Sequence, residues 1–195
     1  MDQANANYIT IVSGLPRSGT SLMMQMLDAG GIEPVTDHQR KPDADNPRGY
    51  FEIERIKDSN GNTAWIGETR GRAMKVISML LYELPADYDY RVLFMRRDME
   101  EILASQAEML KRHGREVTDE EQMEISQHLD RHLKNVIGWL AKAEHMAVSY
   151  VNFSDLVSTP KLVANAVNRF LDDRLDVQSM RAVVDPSLHR QHANT

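Results

Sequence analysis

After a polar start the chain enters a short, uninterrupted apolar run. Tyr8 to Ser13 is rich in β-branched residues and stops at Gly14, the pattern of a strand buried on both faces. From Thr20 to Ala29 apolar side chains lie almost all round the helical period, which predicts a helix packed on both sides, with Gly30-Gly31 as its stop. Ala73 to Ser78 (AMKVIS) and Tyr90 to Met95 (YRVLFM) predict two further core strands, separated by a segment ending in Leu84-Pro85. Asp98 with Glu101 has the form of a capping box, and Met99, Ile102, Leu103 and Leu110 follow at helical spacing. Thr118 with Glu121 has the same form ahead of a long helix whose Ile125, Leu129, Leu133, Val136, Ile137 and Leu140 make one apolar stripe. Met146 to Phe153 predicts a last strand and Lys161 to Leu171 a last helix. Glu33 to Gly49 carries Pro34, Pro42, Pro47 and mixed charge, so residues 33–49 are read as a long loop and candidate lid.

Strands that alternate with helices imply an α/β fold, a mostly parallel sheet flanked by helices, in which ligands bind at the carboxyl ends of the strands. A chain of 195 residues suits one domain over 1–195, burying about 70% of its unfolded surface without staples. The net charge of -6 argues against a general affinity for nucleic acid or anionic membrane, so any anion site must be local. No cysteine is present, which excludes disulfides, thiolate metal sites and cysteine nucleophiles and fits a reducing compartment. The N-terminus lacks a basic n-region and no apolar run is long enough to span a bilayer, which predicts a cytoplasmic location.

The chemistry is written between the first strand and the first helix. Gly14-Leu-Pro-Arg-Ser-Gly19-Thr20-Ser21 keeps the two glycines of a phosphate-binding loop at their proper spacing, but Thr20 stands where lysine would sit. Successive N–H groups at a helix start still form an anion nest, helped by the helix dipole, and the Thr20 and Ser21 hydroxyls can add donors. Arg17 can restore the missing cation with a planar fork suited to phosphate or sulfate. Pro16, Arg17, Ser18, Gly19, Thr20 and Ser21 are therefore the expected anion-binding segment.

These residues resemble a family. Leu15-Pro-Arg-Ser-Gly-Thr-Ser21 looks like the 5'-phosphosulfate loop of the sulfotransferases that use 3'-phosphoadenosine 5'-phosphosulfate (PAPS), with its P-loop nucleotide-binding type of fold. In that family a strand ends in an arginine, followed eight residues later by a helical serine, and the two hold the 3'-phosphate. Here YRVLFM leads to Arg97, and Ser105 lies at that spacing. At about 100° per residue Asp98 and Ser105 fall on one side of the helix, off the apolar stripe, so Ser105 faces the side from which Arg97 departs. Arg96 is expected to point the other way. Tyr150-Val-Asn-Phe-Ser-Asp-Leu156 resembles the family's late strand, and Asn46-Pro-Arg-Gly-Tyr-Phe-Glu52 and Asp185-Pro-Ser-Leu-His-Arg190 resemble stretches of its small bacterial-type members. The resemblance implies PAPS as sulfuryl donor, 3'-phosphoadenosine 5'-phosphate as product, no metal, and Arg17, Arg97 and Ser105 as two separated positive cups, one at each end of the nucleotide. Arg190 lies in a C-terminal segment that the family folds over the nucleotide, without its usual glycine-rich, tryptophan-ending form.

Sulfuryl transfer also needs a base for the attacking group. The cytosolic branch of the family supplies a lysine and a histidine at a strand end; here Lys75 is retained but Ile77 stands where the histidine would be. Other branches use a glutamate after the first helix and its loop, and Glu52 matches that arrangement best, with Glu54 and the loop residue His38 as alternatives. Arg40, Lys41 and Arg48 can make the pocket mouth attractive to anions. His128 and His132 stand four apart on the long helix, a spacing compatible with metal chelation, but no third ligand is evident, so a partly exposed helix face is expected. The expected activity is transfer of a sulfuryl group from PAPS to a hydroxyl or amine of a small-molecule, glycan or peptide acceptor. The alternatives are a small-molecule kinase with a degenerate loop and a non-catalytic nucleotide-binding protein of the same fold. Acceptor and oligomeric state are left open.

Overall fold

A computed structural model describes residues 7–36, 51, 53 and 63–185. Its strands are β1 (Ile9–Gly14), β2 (Ala73–Lys75), β3 (Tyr90–Arg96) and β4 (Met146–Asn152). The helices are α1 (Thr20–Ala29), α2 (Met99–Arg112), α3 (Asp119–Leu140), α4 (Phe153–Ser158), α5 (Pro160–Phe170) and α6 (Val177–Ala182). Tighter 3-10 turns occupy Ala64–Thr69 and Ser78–Glu83.

All four strands run parallel in the order β2-β1-β3-β4, so the fold is α/β with a parallel sheet flanked by helices. β1 is central and every one of its residues is buried, which is why its sequence is a continuous apolar run rather than an alternation. Alternate residues feed two cores. Val12, Leu93, Met95 and Val151 pack with α1 and the helices that follow β4, while Ile9, Ile11, Met74, Val92 and Phe94 pack with Trp65, Ile66, Leu81, Val136 and Leu140.

α1 keeps the bounds its pattern predicts. Its end is closed by Gly31 at φ 101°, with the Ile32 amide donating to the Leu27 carbonyl at 2.8 Å, so the glycine supplies the left-handed turn that releases the chain. One expectation is corrected. β2 stops at Lys75 rather than Ser78: the Val76 amide makes one more bond, to the Val12 carbonyl at 3.0 Å, and Ser78 then begins a 3-10 turn. The candidate lid at 33–49 is described only through residue 36, and its first residues run beside β2. Ala73 donates to the Glu33 carbonyl at 3.0 Å and Val35 to the Ala73 carbonyl at 2.8 Å, because the outer edge of β2 offers unpaired backbone groups.

The topology fixes where a ligand can sit. From β1 the chain goes first to β2 on one side and then to β3 on the other, so the connections diverge between β1 and β3. In open parallel sheets it is at such a reversal, beyond the strand ends, that ligands bind. Gly14 of β1 is paired with Met95 of β3, which brings the loop 14–19 beside the residues that leave β3.

Candidate functional site

The loop after β1 is shaped by two glycines and one serine. Gly14 has φ 148°, and a Cβ there would lie 2.6 Å from Ser18 Oγ and 2.7 Å from the Met95 carbonyl oxygen, so no larger residue fits. Ser18 is buried and donates to the Leu15 carbonyl twice, from Oγ at 2.7 Å and from its amide at 3.2 Å. Leu15 is buried with Ile102, Leu103 and Leu129, which pins the loop to α2 and α3. Pro16 is exposed, and Arg17 takes a left-handed backbone at φ 69°, uncommon for a residue with a Cβ. Gly19 then opens α1 at φ 96°, followed by the buried Thr20 and half-buried Ser21.

Arg17 holds this conformation within a network that joins the loop to α2. Its Nε donates to Ser105 Oγ at 3.0 Å, and its carbonyl accepts from Arg97 Nη1 at 3.1 Å. Arg97 in turn has its Nε 2.8 Å from Glu101 Oε2, with side chains only 8% and 10% exposed. Its guanidinium lies 4.3 Å from the centroid of the Phe153 ring, at the start of α4. Removing either partner of so buried an ion pair leaves an uncompensated charge, which costs about 3–5 kcal/mol.

The residues expected to form the two cups are in contact: Ser105 is bound by Arg17, and Arg97 reaches the loop through a backbone carbonyl. The capping box expected at Asp98 and Glu101 is only half formed. Asp98 caps α2 by accepting from the Glu100 and Glu101 amides, but the Glu101 side chain turns to Arg97 instead of reaching back. A buried guanidinium outcompetes an exposed backbone N–H for a carboxylate.

On the other side of the loop, β2 delivers Lys75. It is 9% exposed, and its Nζ donates to Ser21 Oγ at 3.2 Å. The cation missing from the loop itself thus arrives at the start of α1 from a neighbouring strand. Three residues beyond, the fully buried Ser78 places its Oγ 2.9 Å from His132 Nε2 of α3. Burial, and secondarily the neighbouring His128, lower the pKa of His132 from its ordinary value, so the ring is neutral near neutral pH. Among the described residues no cluster of three metal-ligating side chains forms, and His132 is engaged with Ser78 rather than with His128.

Arg96 is exposed, with its guanidinium 5.9 Å from the Tyr150 ring centroid, on the opposite side from Arg97. Glu52, Glu54, His38, Arg40, Lys41, Arg48 and Arg190 lie outside the described residues. Phe153 and the Ser78–His132 pair carry no local signal for these roles in the sequence.

No family model matches the chain, and no curated protein matches it. Among solved structures it superposes on a sulfotransferase domain from the curacin biosynthetic pathway with a TM-score of 0.52 and 18% identity, over 85% of this chain and 74% of that one. The likeness is one of fold. A sugar kinase from Janibacter sp. HTCC2649 superposes more loosely, at a TM-score of 0.42 and 13% identity over 93% of this chain and 98% of that one. The fold is thus α/β and P-loop-like, and among the described residues no helix is long and apolar enough to cross a membrane.

Proposed function

We propose that this protein is a PAPS-dependent sulfotransferase, moving a sulfuryl group to a hydroxyl or amine of a small-molecule, glycan or peptide acceptor. The observation that carries the reading is Lys75 Nζ at 3.2 Å from Ser21 Oγ. In phosphate loops that work with ATP, the serine or threonine at this position holds magnesium. A lysine ammonium directed at that hydroxyl supplies the positive charge by a side chain and repels a divalent ion from the same place. Such a site favours a nucleotide whose transfer chemistry proceeds without metal, and it speaks against the kinase alternative.

The residues divide the work. The loop amides from Gly19 to Ser21 and the positive end of α1 face the 5'-phosphosulfate, the Ser18 amide being held by the Leu15 carbonyl, and Arg17 and Lys75 stabilise charge that gathers on the departing 5'-phosphate. Thr20 and Ser21 orient it. Arg97 and Ser105, beyond β3, lie on the side assigned to the 3'-phosphate. Transfer forms a bond between the acceptor oxygen or nitrogen and sulfur and breaks the bond from sulfur to the 5'-phosphate oxygen. The acceptor's proton passes to a base, for which Glu52 is our first choice by its match to the family. A single domain over 1–195, with the loop 33–49 as its candidate lid and Arg190 among the nucleotide-binding residues, completes the proposal.

Incubation with PAPS and a panel of hydroxyl and amine acceptors, read by mass spectrometry, tests it. The expected result is an acceptor heavier by one sulfuryl group, formed equally well in chelator and lost in Lys75→Ala. Sulfuryl gain by no acceptor, with phosphoryl gain from ATP and magnesium, would overturn the reading.

A further inference from the structure

We infer that Glu101 is a positioning residue of the nucleotide loop, acting through Arg97 on the backbone of Arg17; the inference deepens the nucleotide site proposed above and rests on that reading. An acid beside an anion site is, by charge alone, a liability. Its place in the structure gives it a different task.

Three of the contacts of Arg97 have distinct directions. Nε meets Glu101 Oε2 at 2.8 Å, Nη1 meets the Arg17 carbonyl oxygen at 3.1 Å, and the flat face lies over Phe153. A ring 4.3 Å from Cζ covers one side of the guanidinium but does not fix its rotation. The Glu101 carboxylate does, because a second in-plane partner fixes the planar fork. With that rotation set, Nη1 meets the one carbonyl that Arg17 presents at φ 69°. A left-handed backbone at a residue with a Cβ persists only when its surroundings hold it. The bond from Arg97 is such a hold, and Arg17 Nε on Ser105, one turn beyond Glu101 on the same helix, is a second.

Arg97 and Ser105 thus hold Arg17 at two points beside the Leu15 packing, and the carboxylate orients the first. Phe153 also closes the other side of the loop. A Cβ at Gly19 would lie 2.4 Å from its Cδ2, so the ring under Arg97 and the loop at Gly19 are in contact, and a shift of one is felt by the other.

Two measurements on the full chain test this, with Glu101→Ala and with Glu101→Gln, which retains an oxygen to accept from Arg97 and guards against loss of folding. The first is hydrogen exchange of the protein alone. In Glu101→Ala, exchange at the Ser18 and Met23 amides, which donate to Leu15 and Gly19, should accelerate at least about tenfold, with less effect in Glu101→Gln and none in β4. The second is calorimetry with 3'-phosphoadenosine 5'-phosphate. Glu101→Ala should weaken its binding about tenfold although a negative charge has been removed, and the double variant with Arg97→Met should bind no worse than Arg97→Met alone. Unchanged loop exchange in Glu101→Ala, tighter nucleotide binding, or additive losses in the double variant would overturn the inference. Failure of the nucleotide reading itself would appear separately, as absence of binding by the unmodified protein, and loop exchange would still decide the role of Glu101.

Discussion

Gly19 is constrained twice, by conformation and by space. Its φ of 96° disfavours any side chain, and a Cβ would also enter the Phe153 ring at 2.4 Å. Gly114 shares only the first constraint, with φ 78° and nothing within 4 Å of where a Cβ would stand. Gly114→Ala should therefore cost about 1 kcal/mol and Gly19→Ala at least about 2 kcal/mol, as read by urea denaturation. Equal costs would mean that the Phe153 contact is easily relieved. At His132 the relevant variable is pH. Burial and His128 hold its pKa below the ordinary 6.5, so as pH falls past that value the unfolded chain takes up the proton first. Stability tied to the neutral ring is thus complete above 6.5 and is lost as pH falls through the folded pKa. Among the described residues, Ser78 is bonded to this ring and His128 is the charge that acts on it. The stability gap between the unmodified protein and His132→Gln should be wider near neutrality than at about pH 5, and a gap that widens toward acid would contradict the shift.

Elements with local signals are legible in the chain, and those set by distant partners are not. α1 has its expected bounds because glycines close both ends, and α3 starts where Thr118 and Glu121 form a reciprocal capping box, at 3.2 and 3.1 Å. Thr118→Ala should cost about 1 kcal/mol in urea denaturation and leave nucleotide affinity unchanged, since the cap is remote from the loop. A loss of binding would show that α3 transmits strain to the loop through Leu129 and Leu15. The same box at Asp98 fails because Glu101 has a better partner in Arg97, a tertiary contact that overrides a local rule. β2 is shorter than its pattern for a similar reason: the β-branched pair Val76 and Ile77 has strand character, but Ser78 is held by a histidine 54 residues away. Arg17 and Ser105 are 88 residues apart, and no periodicity announces their contact.

At the scale of the whole molecule, the parallel sheet brings cationic residues from distant parts of a chain of net charge -6 to one end of the strands. The connections diverge between β1 and β3, and there the loop after β1, the start of α1, Arg17 and Arg97 meet, with Lys75 arriving from β2. The side of the site that would meet an acceptor is readable only as a resemblance, because Glu52 and His38 lie outside the described residues. The most direct test is equilibrium binding by calorimetry of 3'-phosphoadenosine 5'-phosphate and of ATP with magnesium, each repeated in chelator. Binding of the bisphosphate with an affinity indifferent to chelator, and no binding of ATP with magnesium, is the expected result. Magnesium-dependent binding of ATP with no affinity for the bisphosphate would contradict it.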